Sequence, residues 1–189
     1  MLMDTTTPGT KRVQVRYSFP AMGFHWVTAV LVFILFPLGW YMVDLPPGPD
    51  RGANFAVHKQ LGITVFLLTL LRLAWRLRNP APPLPAYLPD WQNRLATSVH
   101  KLFYVLLLLH PVSGYLSSQF SGHKTKYFGV QLPQWGWKDQ VINEFFTEIH
   151  EITSLCLLLL ILCHLAGAVS HMIKKGDHLV RRMLPWGHR

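Results

Sequence analysis

The sequence predicts an all-α fold, an integral membrane four-helix bundle with both termini on the cytoplasmic side. Three observations predict it. Half of the 189 residues are hydrophobic and only 14% are charged, against about 25% in a soluble domain. The apolar excess is gathered into four long runs. Lysine and arginine concentrate on the segments that lie to one side of those runs. One membrane domain, residues 19–173, follows from this, between an N-terminal tail (1–18) and a C-terminal tail (174–189).

The first run, about 19–43 (FPAMGFHWVTAVLVFILFPLGWYMV), is too long for a signal peptide and no small-residue cleavage site follows it, so it stays as a helix. The second covers about 55–77, the third about 95–118 and the fourth about 146–173. Each reaches the roughly 20 residues that cross a hydrocarbon core about 30 Å thick. Between the first two, DLPPGPDRG (44–52) reads as a short turn. NPAPPLPAYLPD (79–90) holds too much proline for a helix and is expected to lie extended. Residues 119–143 form the longest loop, with an aromatic patch, FGVQLPQWGW, suited to a membrane interface.

Basic residues set the orientation. The N-terminal tail (Lys11, Arg12, Arg16), the second linker with its flanks (Arg72, Arg76, Arg78, Arg94, Lys101) and the C-terminal tail (Lys174, Lys175, Arg181, Arg182, Arg189) are the richer side, and so the cytoplasmic one. The other side holds Arg51, Lys59, Lys124, Lys126 and Lys138 with most of the acidic residues. The net charge of +9 is therefore explained by topology, and a nucleic-acid partner is not expected. Cys156 and Cys163 lie seven residues apart on one helix, about 10 Å, too far to bridge. With no C-x-x-C-H, covalent attachment of a c-type haem is excluded.

Histidine carries the chemistry. His25, His58, His100, His110, His150, His164 and His171 lie in or beside the apolar runs, where an ionisable side chain is costly without a partner or a task. His150 and His164 share one run (HEITSLCLLLLILCH). Fourteen residues are close to four turns, so both rings face one way, roughly 21 Å apart along the axis. The orientation assigns each ring a depth. His58 and His150 match toward the outer side, and His25 and His164 match toward the cytoplasm. Each pair joins two helices and so can clamp the two faces of a haem iron, for which imidazole is an ordinary axial ligand. The alternative for any lone intramembrane histidine is a hydrogen-bonded helix contact.

His110 fits neither pair. It precedes Pro111 and reads as a packing residue, bonded to a backbone carbonyl that the proline frees. His123, His178 and His188 read as loop or tail residues. Gly62 and Gly167 follow His58 and His164 by about one turn, where a missing side chain lets a flat ring approach the backbone or two helices pack. Arg72 and Arg76 share a face and can pair with haem propionates, although flanking charge accounts for them as well. Lys59 beside His58 has the same option at the outer side, or attracts an anion.

With these residues in order, the chain resembles the bacterial cytochrome b561 family of small four-helix dihaem membrane proteins. The resemblance rests on His25-Trp26, the H-x-x-x-G of His58 to Gly62, RLAWRLRNPAPP, the P-x-x-G of Pro111 to Gly114, the His150/His164 pair and the tail DHLVRRMLP. It implies two haem b groups with His25, His58, His150 and His164 as axial ligands, in the bacterial inner membrane. It further implies electron transfer between a periplasmic donor and membrane quinone. In one branch the donor is superoxide and the quinone is ubiquinone. His110 departs from the pattern of that branch. His100, His171 and the arginines become candidates for a quinone site on the cytoplasmic side.

Two other readings fit parts of the sequence. One is the cytochrome b anchor of a dehydrogenase or hydrogenase. The small size and short loops argue against an obligate soluble subunit. The other is a histidine-based transporter of zinc or copper, which normally places carboxylates or thiolates inside the membrane. Here the acidic Glu148 and Glu151 stay near the outer edge.

Overall fold

The computed structural model describes residues 16–83, 88–173 and 179–184. Lys11, Arg12, Lys174, Lys175, His178, His188 and Arg189, to which the sequence reading gave places in the tails, lie outside the described residues. Among the described residues, four helices are long and apolar enough to cross a membrane. They are α1 (Phe19–Asp44), α2 (Pro49–Arg78), α3 (Asp90–Phe120) and α4 (Gln140–Ile173). The protein is a four-helix membrane bundle.

Every helix outruns its apolar stretch because its polar ends remain helical past the hydrocarbon. The 34 residues of α4 extend about 51 Å, well over the core thickness. The turn after α1 is shorter than the sequence suggested. Pro49 takes an N-terminal helix position, where its missing N–H costs nothing, and residues 49–52 already belong to α2. The proline linker is non-helical from Pro80 to Pro83, and α3 begins directly after Pro89.

The helices run up and down in sequence. α1 packs on α2, α2 on α3 and α3 on α4, whereas close backbone approaches of α4 to α1 or α2 are sparse. The starts of α1 and α3 share one end with the finishes of α2 and α4, here the basal end. The opposite, distal end carries the long loop. Leu155, Leu159 and Leu162 point outward with Val27, Val30 and Phe33, the side-chain distribution of a surface solvated by lipid. Cys156 and Cys163 are free and face outward too. Inside lie Thr28, Thr69, Ser113 and Thr153. The hydroxyls of Thr69 and Thr153 donate to the carbonyls of Val65 and Ile149, both at 2.7 Å, and that of Ser113 donates to the His110 carbonyl, so these three do not enter the bundle unpaired, whereas Thr28 Oγ1 has no hydrogen-bond partner among the described residues. A cluster of Val32, Val65, Leu106, Leu107, Leu157 and Leu160 fills the middle of the bundle.

The distal loop contains a small antiparallel hairpin, β1 (Lys126–Tyr127) and β2 (Val130–Gln131), that periodicity did not reveal. Its two-residue turn places both Phe128 (φ 45°) and Gly129 (φ 87°) in the left-handed region, as a type I′ turn requires. Tyr127 OH and Thr64 Oγ1 of α2 are 3.2 Å apart, and the Phe128 N–H donates to Gln60 Oε1. Asp139 caps α4 by accepting from the Ile142 N–H at 3.1 Å.

At the basal end a 3₁₀ turn, η1 (Val180–Met183), docks under the bundle. Trp26 Nε1 donates to the Met183 carbonyl at 2.8 Å. The Arg182 guanidinium donates twice to the Pro83 carbonyl, each at 3.1 Å. Residues 179–184 are thus fastened to α1 and to the proline linker.

Candidate functional site

The bundle brings its intramembrane histidines together at two levels, with the aliphatic cluster between them. Fourteen residues separate His150 from His164, so α4 presents one imidazole to each level, and Leu157 and Leu160 fill the turns between.

At the distal level the rings of His58 (α2) and His150 (α4) have centroids 6.2 Å apart and planes at 77°. His150 is held closely. Its Nδ1 donates to the His110 carbonyl at 2.9 Å, with Ser113 Oγ at 3.4 Å. A carbonyl only accepts, so the proton sits on Nδ1 and the Nε2 lone pair is left to bind a metal. Glycine permits this seat. A Cβ on Gly114 would lie 2.8 Å from His150 Cε1. On the other side Gly39 of α1 gives His58 room, an added Cβ there meeting Cε1 at 3.3 Å. His58 Nδ1 is buried and has no hydrogen-bond partner among the described residues, so protein groups alone leave this imidazole incompletely satisfied.

His110, expected to bond a carbonyl freed by Pro111, does otherwise. Its Nδ1 lies 3.0 Å from Thr153 Oγ1 and its ring stacks on His150, 3.8 Å between centroids and 14° between planes. The α3 face that carries His110 points at α4, where its ring meets the Thr153 hydroxyl and the His150 ring. Depth along a helix does not give rotation about it, so this neighbour of His150 escaped the sequence reading.

At the basal level the rings of His25 (α1) and His164 (α4) have centroids 6.3 Å apart and planes at 71°. His100 of α3, assigned from sequence to a quinone side, has its ring 5.7 Å from that of His164, and Phe103 lies 5.4 Å from it. Arg72 stacks over Tyr104 at 5.6 Å and acts electrostatically on His25, His100 and His164. Arg76 is exposed one turn further along α2. Beneath His25 a cavity of about 550 Å³ is lined by residues that include Arg16, Tyr17, Arg72, Trp75, Arg76 and Tyr104, with no described carboxylate among them. His171 lies two turns past His164, half-buried. At the distal end the Lys59 ammonium donates to Ser118 Oγ at 3.2 Å, which is itself 2.8 Å from Thr125 Oγ1.

These residues fit haem. An imidazole nitrogen about 2.0 Å from a metal on each side places two ring centres roughly 6 Å apart, as found at both levels. Each pair spans helices whose backbones otherwise stay apart. A Cβ on Gly62 or Gly167 meets nothing within 4 Å, so neither glycine serves close helix packing, and both faces can admit a planar group. No set of three described His, Cys, Asp or Glu side chains is arranged to hold a lone metal ion.

Comparison with known proteins agrees. The family model described as prokaryotic cytochrome b561 matches residues 16–186. The chain is 32% identical to "Cytochrome b561 homolog 2" of Escherichia coli (strain K12), covering 89% of this chain and 91% of that protein. It is 25% identical to "Cytochrome b561 homolog 1" of the same organism, over 90% and 97% of the two chains. It is 24% identical to "Probable superoxide oxidase CybB" of Yersinia pestis, over 90% and 96%. The chain belongs to the prokaryotic cytochrome b561 family, and is a multi-pass membrane cytochrome that uses b-type haem for electron transfer.

Proposed function

We propose that the protein carries two haem b groups and passes electrons from a periplasmic donor, superoxide, to ubiquinone in the bacterial inner membrane. In this reading the distal haem is held by His58 and His150, the basal one by His25 and His164. Arg72 and Arg76 hold the basal propionates through charge-assisted hydrogen bonds, and Lys59 serves the distal haem or its anionic donor. The basal end, with both tails, faces the cytoplasm because it carries Arg16, Arg72, Arg76, Arg78, Arg94 and Lys101. His100 and His171 belong to a basal quinone side. Residues 19–173 form the cytochrome domain between two cytoplasmic tails.

The observation that carries this reading is the repeated separation of 6.2 and 6.3 Å between imidazoles of helices that otherwise stand apart. Bound haem supplies one-electron iron chemistry. His58 with His150, and His25 with His164, would hold the haems through imidazole nitrogens, a donor set suited to electron transfer. The chain's own task is to fix the imidazoles, insulate the two levels with the Val65 and Leu157 cluster, and set the charge around each. Superoxide as donor is supported by the relationship to a probable superoxide oxidase and by the lysines of the distal loop. Two superoxide anions would each give up one electron and leave as dioxygen. One ubiquinone would take both electrons with two protons and leave as ubiquinol.

The test is the purified protein's reduced spectrum and haem content, followed by stopped-flow mixing with superoxide with and without a soluble ubiquinone. Split b-type bands, two haems per chain and quinone-dependent reoxidation are expected. A colourless protein sinks the haem reading. A coloured protein that superoxide does not reduce removes only the donor.

A further inference from the structure

The distal level holds a third imidazole that electron transfer between His58 and His150 does not call for. His110 lies face to face with His150, 3.8 Å between centroids and 14° between planes. A metal cannot sit between rings that close, so His110 is not an axial ligand in this arrangement. Its ring is itself anchored. Thr153 Oγ1 donates its single proton to the Ile149 carbonyl at 2.7 Å, which leaves the oxygen to accept from His110 Nδ1–H at 3.0 Å. His110 holds His150 from its backbone as well, the His110 carbonyl accepting from His150 Nδ1 at 2.9 Å. A hydrogen bond fixes where Nδ1 points, and a stacked ring fixes the tilt of the plane around it. The Gly114 backbone lies close against the same ring, since any Cβ there would meet His150 at 2.8 Å.

The basal level is built differently. Around His164 stand edge-on rings, those of Phe103 at 83° and His100 at 68°, and no described ring lies flat on it. An edge restrains rotation less than a face does.

We propose that His110 is a positioning residue for the distal haem: its Thr153-anchored ring clamps the plane of the His150 imidazole nearly perpendicular to that of His58, and so fixes the distal haem's electronic structure and potential. This rests on the ligand reading above. The angle between two axial imidazole planes controls how the iron d orbitals split. Nearly perpendicular planes leave two of those orbitals close in energy, which gives ferric low-spin haem a large g anisotropy. Any freedom of the His150 plane therefore appears in the g-max of the distal haem.

The experiment is electron paramagnetic resonance and redox titration of the oxidised, haem-loaded protein. Native protein is compared with His110→Leu, which removes the stacked ring, His110→Phe, which keeps a ring, and Thr153→Val, which removes the anchor at constant shape. His110→Leu should move the distal g-max and midpoint potential and leave the basal signal in place. Thr153→Val should move them in the same sense by less, and His110→Phe should stay close to native g-max. If His110→Leu fails to load the distal haem, Thr153→Val decides, and a shift there supports the clamp. Unchanged distal g-max and potential in loaded His110→Leu, or in Thr153→Val where that variant decides, overturns the proposal. A distal signal that survives His150→Ala has a different meaning. It sinks the ligand assignment itself, and the clamp with it.

Discussion

A Cβ placed on Gly114 would lie 2.8 Å from Cε1 and 2.9 Å from Nδ1 of His150. The contact is between a rigid α3 backbone and a ring stacked on His110, so neither partner yields cheaply. Overpacking of this kind costs about 1–3 kcal/mol, against which the gain of alanine over glycine in a helix offsets about 1 kcal/mol. Gly114→Ala should therefore displace the His150 ring while leaving the chain folded. We expect distal haem content to fall several-fold with basal content unchanged, measured as haem per protein alongside the reduced spectrum. Native occupancy and an unshifted distal band would show that His150 does not need this seat.

His164 tests the basal level, where two histidines compete for the role of its partner. His25 lies 6.3 Å from it and His100 lies 5.7 Å away. His164→Ala and His25→Ala should each reduce the haem ratio from two toward one, with the distal band retained. His100→Ala should keep both haems. If His100→Ala loses the basal haem while His25→Ala keeps it, the ligand from α3 has been mistaken for a neighbour.

The four helices were legible because each apolar run is long enough to cross a bilayer unaided. The helix ends were not, because Gln140 to Phe145 and Asp90 to Arg94 mix polar and apolar residues and helix geometry continues through them beyond the apolar runs. The paired depths of His25 with His164 and His58 with His150 followed from counting residues along helices of known rise. Counting says little about rotation, which is why the stacking of His110 on His150 and the turn of His100 toward His164 came only with coordinates. Pro111-x-x-Gly114 was visible as a motif, and its physical cause, the seat for His150, was not. The docking of Arg182 on the Pro83 carbonyl joins segments 99 residues apart, beyond the reach of any local pattern.

Arg72 is placed to set the basal potential. It is half-buried in the bundle, stacked on Tyr104, and felt by His25 and His164. A fixed positive charge favours the reduced haem, which carries one positive charge fewer, and pairing with a propionate acts in the same direction. Removing the charge therefore lowers the potential. Arg72→Gln should shift the basal midpoint downward and leave the distal midpoint within error in a potentiometric titration followed at the split bands. A rise, or an equal shift at both haems, would remove Arg72 from the basal site.

Gln119 tests the loop without touching the haem sites. It is fully buried at the end of α3. Its Oε1 accepts from the backbone N–H of Trp135 at 3.1 Å and of Gly136 at 3.5 Å. Gln119→Leu strands these donors, at a cost of about 1–3 kcal/mol. The expected result is a lower thermal midpoint and faster proteolysis within residues 121–139, with haem content and spectra unchanged. Loss of haem in this variant would mean that the loop and the distal level are coupled more tightly than their contacts indicate.

The final prediction concerns the anionic donor. Lys124, Lys126 and Lys138 are exposed on the distal loop and Lys59 lies beneath it, bonded to Ser118. Asp44, Asp50, Asp139, Glu144, Glu148 and Glu151 share that end, so the net field there is small and any steering must come from local arrangement rather than overall charge. Steering by exposed charge is screened over about 30 Å at 0.01 M salt and about 8 Å at 0.15 M. The second-order rate of haem reduction by superoxide should therefore fall as salt rises across that range, and reduction by a neutral quinol should not. Replacing Lys124, Lys126 and Lys138 together by glutamine should flatten the salt dependence and lower the low-salt rate, while the saturating turnover with quinone stays the same. Lys59→Gln should then remove most of the remaining dependence, because its ammonium is the one of these held at the level of His58. A rate with superoxide that is indifferent to salt in the native protein would mean that the anion reaches the distal haem by a route these lysines do not govern.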